Sequence, residues 1–383
     1  MNKDNIYFDY AAATPLDKRV FADMQPYFAE KFFNPSSPYL PAKGVRDDLE
    51  QARATLAKHI GAKPGEIIFT AGATESINIA FHGVLQQDDH VVSSQIEHPA
   101  VLETAKQYPH TLVAPDEKGI ITTEVVQKAI TPKTKLVSVV LADSELGNIQ
   151  QLKEIAQIIK KEREDRLRSN NKTPLYFHTD ASQSAGFLDI NVARLGVDLL
   201  TLSAAKIYGP KQAGLLWAAS NVVMRPFIFG GGQERSLRSG TENVAAVIGF
   251  AKALDLVSAK RKTEFKRIKD LRDLLQKKLE EAFGDIVISA HKKRRLPNFL
   301  HAAWPGVDAE RVLFLLEAQN VLVATGSACA ANSGTRSHVL EAIGMDAKTA
   351  DGSLRLTLGK ETTEEQIIKG AEAIIAAVKK EQH

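Results

Sequence analysis

The chain has 383 residues, of which 44% are hydrophobic and 25% are charged, a composition that excludes a disordered or fibrous protein. Its 49 basic residues nearly balance 46 acidic residues. This balance gives no indication of a nucleic-acid or membrane surface, and we predict that the longest basic run, 292–295, is a solvated loop. The single cysteine, Cys329, excludes an internal disulfide and a multi-cysteine zinc site, and we expect no metal.

The first part of the chain alternates short apolar runs with segments of helical period. This alternation predicts parallel βαβ units whose sheet is covered by helices on both faces. Ligands of such sheets collect at the carboxyl ends of the strands, so the loops there are the places to look for chemistry. The predicted strands are 66–70, 90–94, 135–141, 176–179, 199–203 and 214–218, and the predicted helices are 75–85, 99–107 and 152–163.

After residue 256 the pattern changes to a long amphipathic helix whose apolar residues run from Phe265 to Phe283, with Gly284 as a stop. Strands are predicted at 286–289, 298–304, 321–324 and 354–358, with helices at 309–317 and 362–380. The last helix is predicted to begin with a capping box of Thr362 and Glu365. We therefore predict a large α/β domain, residues 15–256, and a smaller α+β domain made of 1–14 and 257–383.

The start of the chain has no apolar stretch of the signal-peptide kind, and no run of about 18 apolar residues occurs in the sequence. A single cysteine also fits a reducing compartment. Both features predict a cytoplasmic protein without a membrane segment.

Two turns after predicted strands could serve a phosphorylated cofactor. Residues 70–76 open a helix with small residues and hydroxyls, which suits either a phosphate or an ordinary capped turn. Asp180 follows another strand, where a carboxylate could pair with the protonated ring nitrogen of a pyridoxal cofactor or simply cap a turn. The residues alone leave both alternatives open.

Three further segments carry reactive or anion-binding side chains. Lys206 is flanked by small and apolar residues, which could make its amine nucleophilic, although a lysine with its tip in solvent is the ordinary alternative. The glycine-rich segment 230–241 contains two arginines suited to an anion or an intersubunit contact, or else forms a mobile surface loop. Cys329 lies among small polar residues that could present a thiol, whereas lone cysteines are usually buried.

Seven segments occur in the order and spacing of the cysteine desulfurases, and together they resemble that family of class V, fold-type-I pyridoxal-phosphate enzymes. The resemblance implies a mostly parallel seven-stranded sheet in the large domain. It extends along nearly the whole chain. The segments are 9–15, 69–76, 97–98, 180–183, 206–211, 238–241 and 326–329.

The resemblance implies how pyridoxal 5'-phosphate is held. Lys206 binds the cofactor covalently, Asp180 pairs with its pyridine nitrogen, His98 stacks on the ring and Gln183 bonds its phenolic oxygen. The phosphate is held by small and hydroxyl residues, one of which reaches across from the second subunit of a homodimer. These residues are Ala73, Thr74 and Ser203, with Thr241 as the one from the partner.

The resemblance also implies the reaction. Arg355 binds the carboxylate of L-cysteine, near Ser144, and Cys329 takes the sulfur as a persulfide while L-alanine leaves. The sulfur then passes to an acceptor protein, either an iron–sulfur scaffold or a tRNA sulfurtransferase. The chain ends at His383 without the tail by which many relatives dock such a scaffold, which puts that partner in doubt.

Three positions depart from the family pattern. Ala205, Ser144 and Leu40 stand where relatives usually carry His, Asn and His, and each lost hydrogen bond to a charged group costs about 1.5–3 kcal/mol. These changes leave two alternatives to a cysteine desulfurase. One is a selenocysteine lyase or another class V enzyme, and the other is a catalytically weak scaffold for sulfur transfer.

Overall fold

The computed structural model describes residues 5–325 and 336–382. Its strands are β1 (Ile6–Tyr7), β2 (Ile67–Thr70), β3 (His90–Ser94), β4 (His110–Val113), β5 (Thr134–Ser138), β6 (Tyr176–Asp180), β7 (Leu199–Ser203), β8 (Gly214–Ala218), β9 (Val287–Ile288), β10 (Phe299–Ala303), β11 (Val321–Leu322), β12 (Ala324–Thr325) and β13 (Ser353–Thr357).

Helices of seven or more residues flank these strands, and shorter helical turns join them. The helices are α1 (Lys18–Met24), α2 (Pro26–Ala29), α3 (Leu40–Ile60), α4 (Ala73–Val84), α5 (Pro99–Ala105), α6 (Thr123–Ala129), α7 (Leu152–Arg168), α8 (Val192–Leu195), α9 (Val244–Ala282), α10 (Ala309–Glu317), α11 (His338–Ala342), α12 (Ala347–Asp351) and α13 (Glu364–Glu381).

The large sheet has seven strands in the order β2-β8-β7-β6-β5-β3-β4. All neighbours pair in parallel except β8, which runs antiparallel to β2 and to β7. The large sheet has a hydrophobic core on each face. Neighbouring residues of β6 belong to different cores, Phe177 to one and Tyr176 to the other. Every residue of β6 and β7 is buried, as expected for a sheet covered on both faces. The predicted mostly parallel α/β sheet is confirmed.

A smaller antiparallel sheet, β12-β13-β10-β9, follows in the chain, and the two-residue strand β1 pairs in parallel with β11 beside it. Its core is separate from those of the large sheet and includes Phe8, Leu279, Leu300, Leu356 and Ile374. The first described residues therefore pack against the C-terminal part of the chain.

The 39-residue helix α9 connects the cores. Phe250 and Leu254 are buried in the core of the large sheet, whereas Ile268, Leu275 and Leu279 are buried with the small sheet. The predicted helix begins near residue 256, whereas α9 begins at Val244. The sequence did not indicate this start, because the first three turns carry apolar and small residues on several faces and show no clear amphipathic period. No helix in residues 5–325 and 336–382 is both long and apolar enough to cross a bilayer.

Several predicted boundaries are wrong, and two of the errors have an identifiable physical reason. Helix α13 begins after Thr363, which forms the capping box with Gln366, because the Thr362 hydroxyl instead accepts from Gly359 N at 3.0 Å. The single strand predicted over 321–324 is two strands, β11 and β12, which pair with β1 and β13 in different sheets. Helix α3 and the edge strand β4 were not predicted.

The basic run 292–295 is only partly the solvated loop that its charge predicts. Lys292, Lys293 and Arg294 are exposed, but Arg295 is buried. Its guanidinium donates to the Gln276 side chain at 3.0 Å, and burial lowers its pKa to about 10. This side chain therefore serves packing against α9.

Candidate active site

The carboxyl ends of the parallel strands bring several of the predicted residues to one edge of the large sheet. Strand β6 ends at Asp180, and β7 ends at Ser203, just before the helical turn that carries Lys206. His98 follows β3 by four residues. Strand β2 is also parallel to β7, since both are antiparallel to β8, so its end at Thr70 lies at the same edge. This is where ligands of such sheets bind.

The amine of Lys206 is held by the N-terminal segment. Its Nζ donates to the carbonyl oxygens of Ala11 and Ala12, both at 2.7 Å, and the Ala11 oxygen also accepts from Gln183 Nε2 at 3.0 Å. Lys206 and Gln183 line a cavity of about 780 Å³ together with Tyr10. Two carbonyl acceptors fix the position of the Lys206 amine at this edge.

His98 is exposed at this edge and caps α5 through its side chain. Its Nδ1 accepts from the N–H of Ala100 at 3.1 Å, which places the proton of the neutral ring on Nε2. Desolvation by the surrounding protein lowers the pKa of His98, the charges of Lys206 and His338 act in the same direction, and Asp180 opposes them. His98 therefore lies within electrostatic range of both predicted cofactor residues and is neutral at neutral pH.

A second acid, Glu97, is buried beneath this edge with 1% exposure. Its Oε1 accepts from the Ser94 hydroxyl and from Val140 N, both at 2.7 Å, so it joins the ends of β3 and β5. Burial raises the pKa of Glu97 to about 8, and Asp180 adds to the increase. Glu97 is therefore mostly protonated at neutral pH, next to the buried Asp180.

Arg355 lies in β13 and is buried. Its Nη2 contacts Asp9 Oδ1 at 2.7 Å and its Nη1 donates to the carbonyl oxygen of Ser144 at 3.0 Å. Among the described residues its Nε has no hydrogen-bond partner. The guanidinium thus joins the N-terminal segment to the loop after β5, and its Nε–H is not used by these bonds.

Two buried titratable groups lie close to Arg355. Burial raises the pKa of Glu145 to about 8, against the opposing charge of Arg355. Burial and then Arg355 lower the pKa of His301 to about 3. Both groups are therefore mainly neutral at pH 7, so that the carboxylate in direct contact with Arg355 is that of Asp9.

Cys329 lies outside the described residues, but the chain on either side of it is placed. Ala324 pairs in register with Arg355, and Thr325 is the last described residue before the gap. After the gap, the Nε2 of His338 contacts the carbonyl oxygen of Glu97 at 2.9 Å. Both flanks therefore contact elements that carry predicted site residues.

Helix α4 begins at the same edge without a side-chain cap. Ala73 is half-buried and Thr74 is exposed in its first turn. The preceding Gly72 has a φ of +134°, and a Cβ built there meets no atom within 4 Å. Open space at the positive end of a helix, where backbone N–H groups lack intrahelical partners, suits an anion.

Thr241 is exposed and lies on the segment 230–241. It lines a cavity of about 210 Å³ together with Thr70, Ala71 and Arg238 of the same chain. The segment therefore lies close to the strand that leads into α4. That Thr241 contacts a phosphate of a second subunit stays a prediction.

Comparisons with known proteins identify the family of this chain. A family model for aminotransferase class-V matches residues 6–369. The cysteine desulfurase IscS of Dictyoglomus turgidum is 40% identical over 374 residues, which cover 95% of this chain and 92% of the relative. This chain belongs to the cysteine desulfurases of class V. Two solved structures extend the similarity: a NifS-like protein is 32% identical with a TM-score of 0.89, covering 98% and 99% of the two chains, and SspA in complex with cysteine is 33% identical with a TM-score of 0.78, covering 92% and 98%.

The positions at which this desulfurase departs from the family pattern have identifiable surroundings. The carbonyl oxygen of Ala205 accepts from the Thr14 hydroxyl at 2.9 Å, and Ser144 contributes its carbonyl oxygen to Arg355. Leu40 begins α3 and is 82% exposed. Ala205 and Ser144 thus contribute backbone atoms to contacts that hold the site together, whereas Leu40 lies in solvent.

Sequence reasoning missed several residues of the desulfurase site. Asp9 lies in a recognised segment, yet nothing in that segment indicates that it contacts Arg355. The carbonyl groups of Ala11 and Ala12 leave no side-chain signal at all. Glu97 lies in the recognised segment 97–98, but nothing in that segment indicates that its side chain joins the ends of β3 and β5. His338 gave none, because only the fold brings it to Glu97.

Proposed function

We propose that this cysteine desulfurase binds pyridoxal 5'-phosphate at Lys206 and transfers the sulfur of L-cysteine to Cys329, leaving L-alanine. The observation that supports it best is the convergence of Lys206, Asp180 and His98 at one strand-end edge, where their charges act on each other. When bound, this cofactor supplies an electron sink that stabilises negative charge at the α-carbon of an amino acid.

The residues present fit such a cofactor. Asp180 is a buried carboxylate that suits a protonated pyridine nitrogen, and the neutral ring of His98 suits stacking on an aromatic ring. The open, uncapped start of α4 at Ala73 and Thr74 suits a phosphate, together with Ser203 at the end of β7, the nearest strand that runs parallel to β2. In this proposal Gln183 bonds the phenolic oxygen.

The protein's own groups prepare the substrate and the proton transfers. Arg355 binds the substrate carboxylate, which either binds the guanidinium beside Asp9 or replaces Asp9 as its partner. The carbonyl groups of Ala11 and Ala12 orient the Lys206 amine at the strand-end edge. The Ala100 N–H keeps the proton of the neutral His98 ring on Nε2. The ring can therefore donate a hydrogen bond from Nε2 without bringing a charge into the site.

Cys329 is the proposed sulfur acceptor within the chain. Its thiolate attacks the substrate sulfur, forming an S–S bond as the C–S bond breaks, and alanine leaves after protonation of its carbon. The persulfide then passes to an acceptor protein, an iron–sulfur scaffold or a tRNA sulfurtransferase. We further propose a cytoplasmic homodimer in which Thr241 serves the partner's cofactor.

The test uses the purified protein loaded with pyridoxal 5'-phosphate. We expect L-cysteine and a reductant to give equal amounts of alanine and sulfide. Cys329→Ser should keep the visible absorbance of the lysine-bound cofactor and lose both products, whereas Lys206→Ala should lose that absorbance. Alanine and sulfide formation by the Cys329→Ser protein would overturn the assigned nucleophile.

A substrate comparison separates the proposal from its class V alternative. L-cysteine and L-selenocysteine are supplied to the same holoenzyme, and kcat/KM is measured for each. Comparable or better turnover of L-cysteine supports the desulfurase proposal. A clear preference for L-selenocysteine would favour a selenocysteine lyase.

A further inference from the structure

The glycine-arginine loop, residues 230–241, has a backbone that its own sequence does not favour. Three consecutive residues other than glycine, Glu234, Arg235 and Ser236, have φ values of 46°, 61° and 61°. This left-handed region is costly for residues with a Cβ and persists only where surrounding contacts hold it. Hydrogen bonds within the loop, such as that from Ser236 N to Gly232 O at 3.1 Å, support this shape, and contacts with the rest of the chain hold the loop in place.

The first such contact is a buried ion pair between the loop and α3. Arg53 Nη1 and Nη2 contact the two carboxylate oxygens of Glu234 at 2.8 and 2.7 Å, and their side chains are only 10% and 3% exposed. Glu234 Oε2 also accepts from Phe69 N at 2.7 Å, and the guanidinium lies 4.2 Å from the centre of the Phe69 ring. This two-point pair fixes the left-handed segment against β2.

The second contact holds the other end of the loop. Arg238 Nε donates to Glu75 Oε1 at 2.7 Å, and the other oxygen of Glu75 accepts from Ala71 N at 2.8 Å. Glu75 is the third residue of α4. Arg53 Nη1 also donates to the carbonyl oxygen of Ile67 in β2 at 3.1 Å, and Glu234 accepts from Phe69 N of the same strand. The first pair thus contacts β2 and the second contacts the start of α4, beside the proposed place of the cofactor phosphate.

The charge of Arg238 matters for an anion at this place. An unpaired Glu75 carboxylate in the first turn of α4 would repel a phosphate bound at the same helix end. Pairing with Arg238 neutralises it while leaving its bond to Ala71 N intact. The chain also carries Ala205 where a histidine donor is usual in the family pattern, so local charge balance is more important here.

We propose that the Arg53–Glu234 and Arg238–Glu75 ion pairs clamp the glycine-arginine loop to the β2–α4 unit, and that Arg53 and Arg238 are positioning residues for the cofactor phosphate. Neither arginine has to touch the cofactor for this role. The inference rests on the proposed use of pyridoxal 5'-phosphate and names the residues that tune its retention. The clamp also joins the loop that carries Thr241 to the phosphate end of its own chain.

A double-mutant cycle tests the charge role of Arg238. Apo-protein is titrated with pyridoxal 5'-phosphate, and the Kd is measured by absorbance for the wild type, Arg238→Gln, Glu75→Gln and the double variant. We expect Arg238→Gln to weaken binding about tenfold, because the Glu75 carboxylate then repels the phosphate without a compensating charge. The double variant should return to within about threefold of the wild type, because a glutamine still accepts from Ala71 N. An unchanged Kd for Arg238→Gln, or no recovery in the double variant, overturns the charge role.

The buried pair is tested by neutralising both partners, Arg53→Met with Glu234→Gln, which avoids an unpaired buried charge. We expect this variant to fold, as judged by circular dichroism, and to bind pyridoxal 5'-phosphate about tenfold more weakly. The matched control is Arg166→Met, since Arg166 is equally buried but binds Glu162 and backbone oxygens far from the loop. The control should lose stability without a change in Kd.

The outcomes separate this inference from the proposed function. A wild-type protein that binds no pyridoxal 5'-phosphate contradicts the proposed function. A wild type that binds it while the paired Arg53 and Glu234 variant keeps the same Kd contradicts the clamp alone. If the paired variant does not fold, the Arg238 cycle decides.

Discussion

Replacing Glu97 by glutamine should change how the stability of the protein depends on pH. Burial raises the pKa of Glu97 from an ordinary 4.5 to about 8 in the folded protein. Since the folded state holds this proton more tightly than the unfolded chain, its contribution is fully present below pH 4.5 and is lost as the pH rises towards 8. At about 1.4 kcal/mol for each pH unit, the full loss is on the order of 5 kcal/mol.

Glu97→Gln should remove the loss of folding stability at high pH and keep the hydrogen bonds from Ser94 and Val140. A glutamine oxygen can accept from Ser94 and Val140 as Glu97 Oε1 does. A protonated carboxyl and an amide are both neutral, so the two proteins should differ little at pH 5. At pH 9 the variant should be more stable by at least about 2 kcal/mol, allowing for relaxation around the ionised group.

The measurement is urea unfolding of apo-protein at several pH values between 5 and 9. Glu103→Gln is the control, since Glu103 lies on the neighbouring helix with a side chain that is 67% exposed, and it should follow the wild type at every pH. Equal pH dependence for the wild type and Glu97→Gln would refute the reasoning, because it would mean that Glu97 is already ionised in the folded protein at neutral pH.

Two other substitutions test the surroundings of Arg355. Gly147→Ala should destabilise the protein by more than about 2 kcal/mol in urea unfolding, because Gly147 has a φ of +72° and a Cβ there would lie 2.5 Å from the Phe299 ring; a change below about 0.5 kcal/mol would contradict this. Arg355→Gln should raise the KM for L-cysteine about tenfold or more while the absorbance of the lysine-bound cofactor is kept, and an unchanged KM would show that the substrate carboxylate binds elsewhere.

Six of the seven strands of the large sheet could be predicted because their patterns are local, whereas the edge strand β4 was missed. An apolar run such as 199–203 is buried on both faces wherever it is placed, so composition alone indicates a central strand. Pairing partners are not local. Residues 321–325 form two strands only because β1 and β13 approach from distant parts of the chain. The pattern did not decide the cap of α13, since Thr362 and Thr363 both match it, and the bond from Gly359 N occupies the Thr362 hydroxyl.

The candidate site likewise has residues whose position could be predicted and contacts that could not. Lys206, Asp180 and His98 follow strands and lie at the predicted edge, so strand order and a recognised motif were enough to bring them together. The contacts that hold them were not predictable. Asp9 contacts Arg355 across 346 positions of sequence, and the groups that hold Lys206 are backbone carbonyls, which every residue carries. The positions of these partners follow from the packing of the smaller sheet.

The attachment of the N-terminal segment to the end of the chain has a consequence for synthesis on the ribosome. Ile6 and Tyr7 pair with Val321 and Leu322, and Asp9 contacts Arg355. The first residues to leave the ribosome therefore cannot form these contacts until nearly the last residues have been synthesised. The large sheet is complete long before that. The large sheet of a nascent chain can therefore fold before the N-terminal segment is fixed beside the Lys206 amine. The complete site forms only when translation is almost finished.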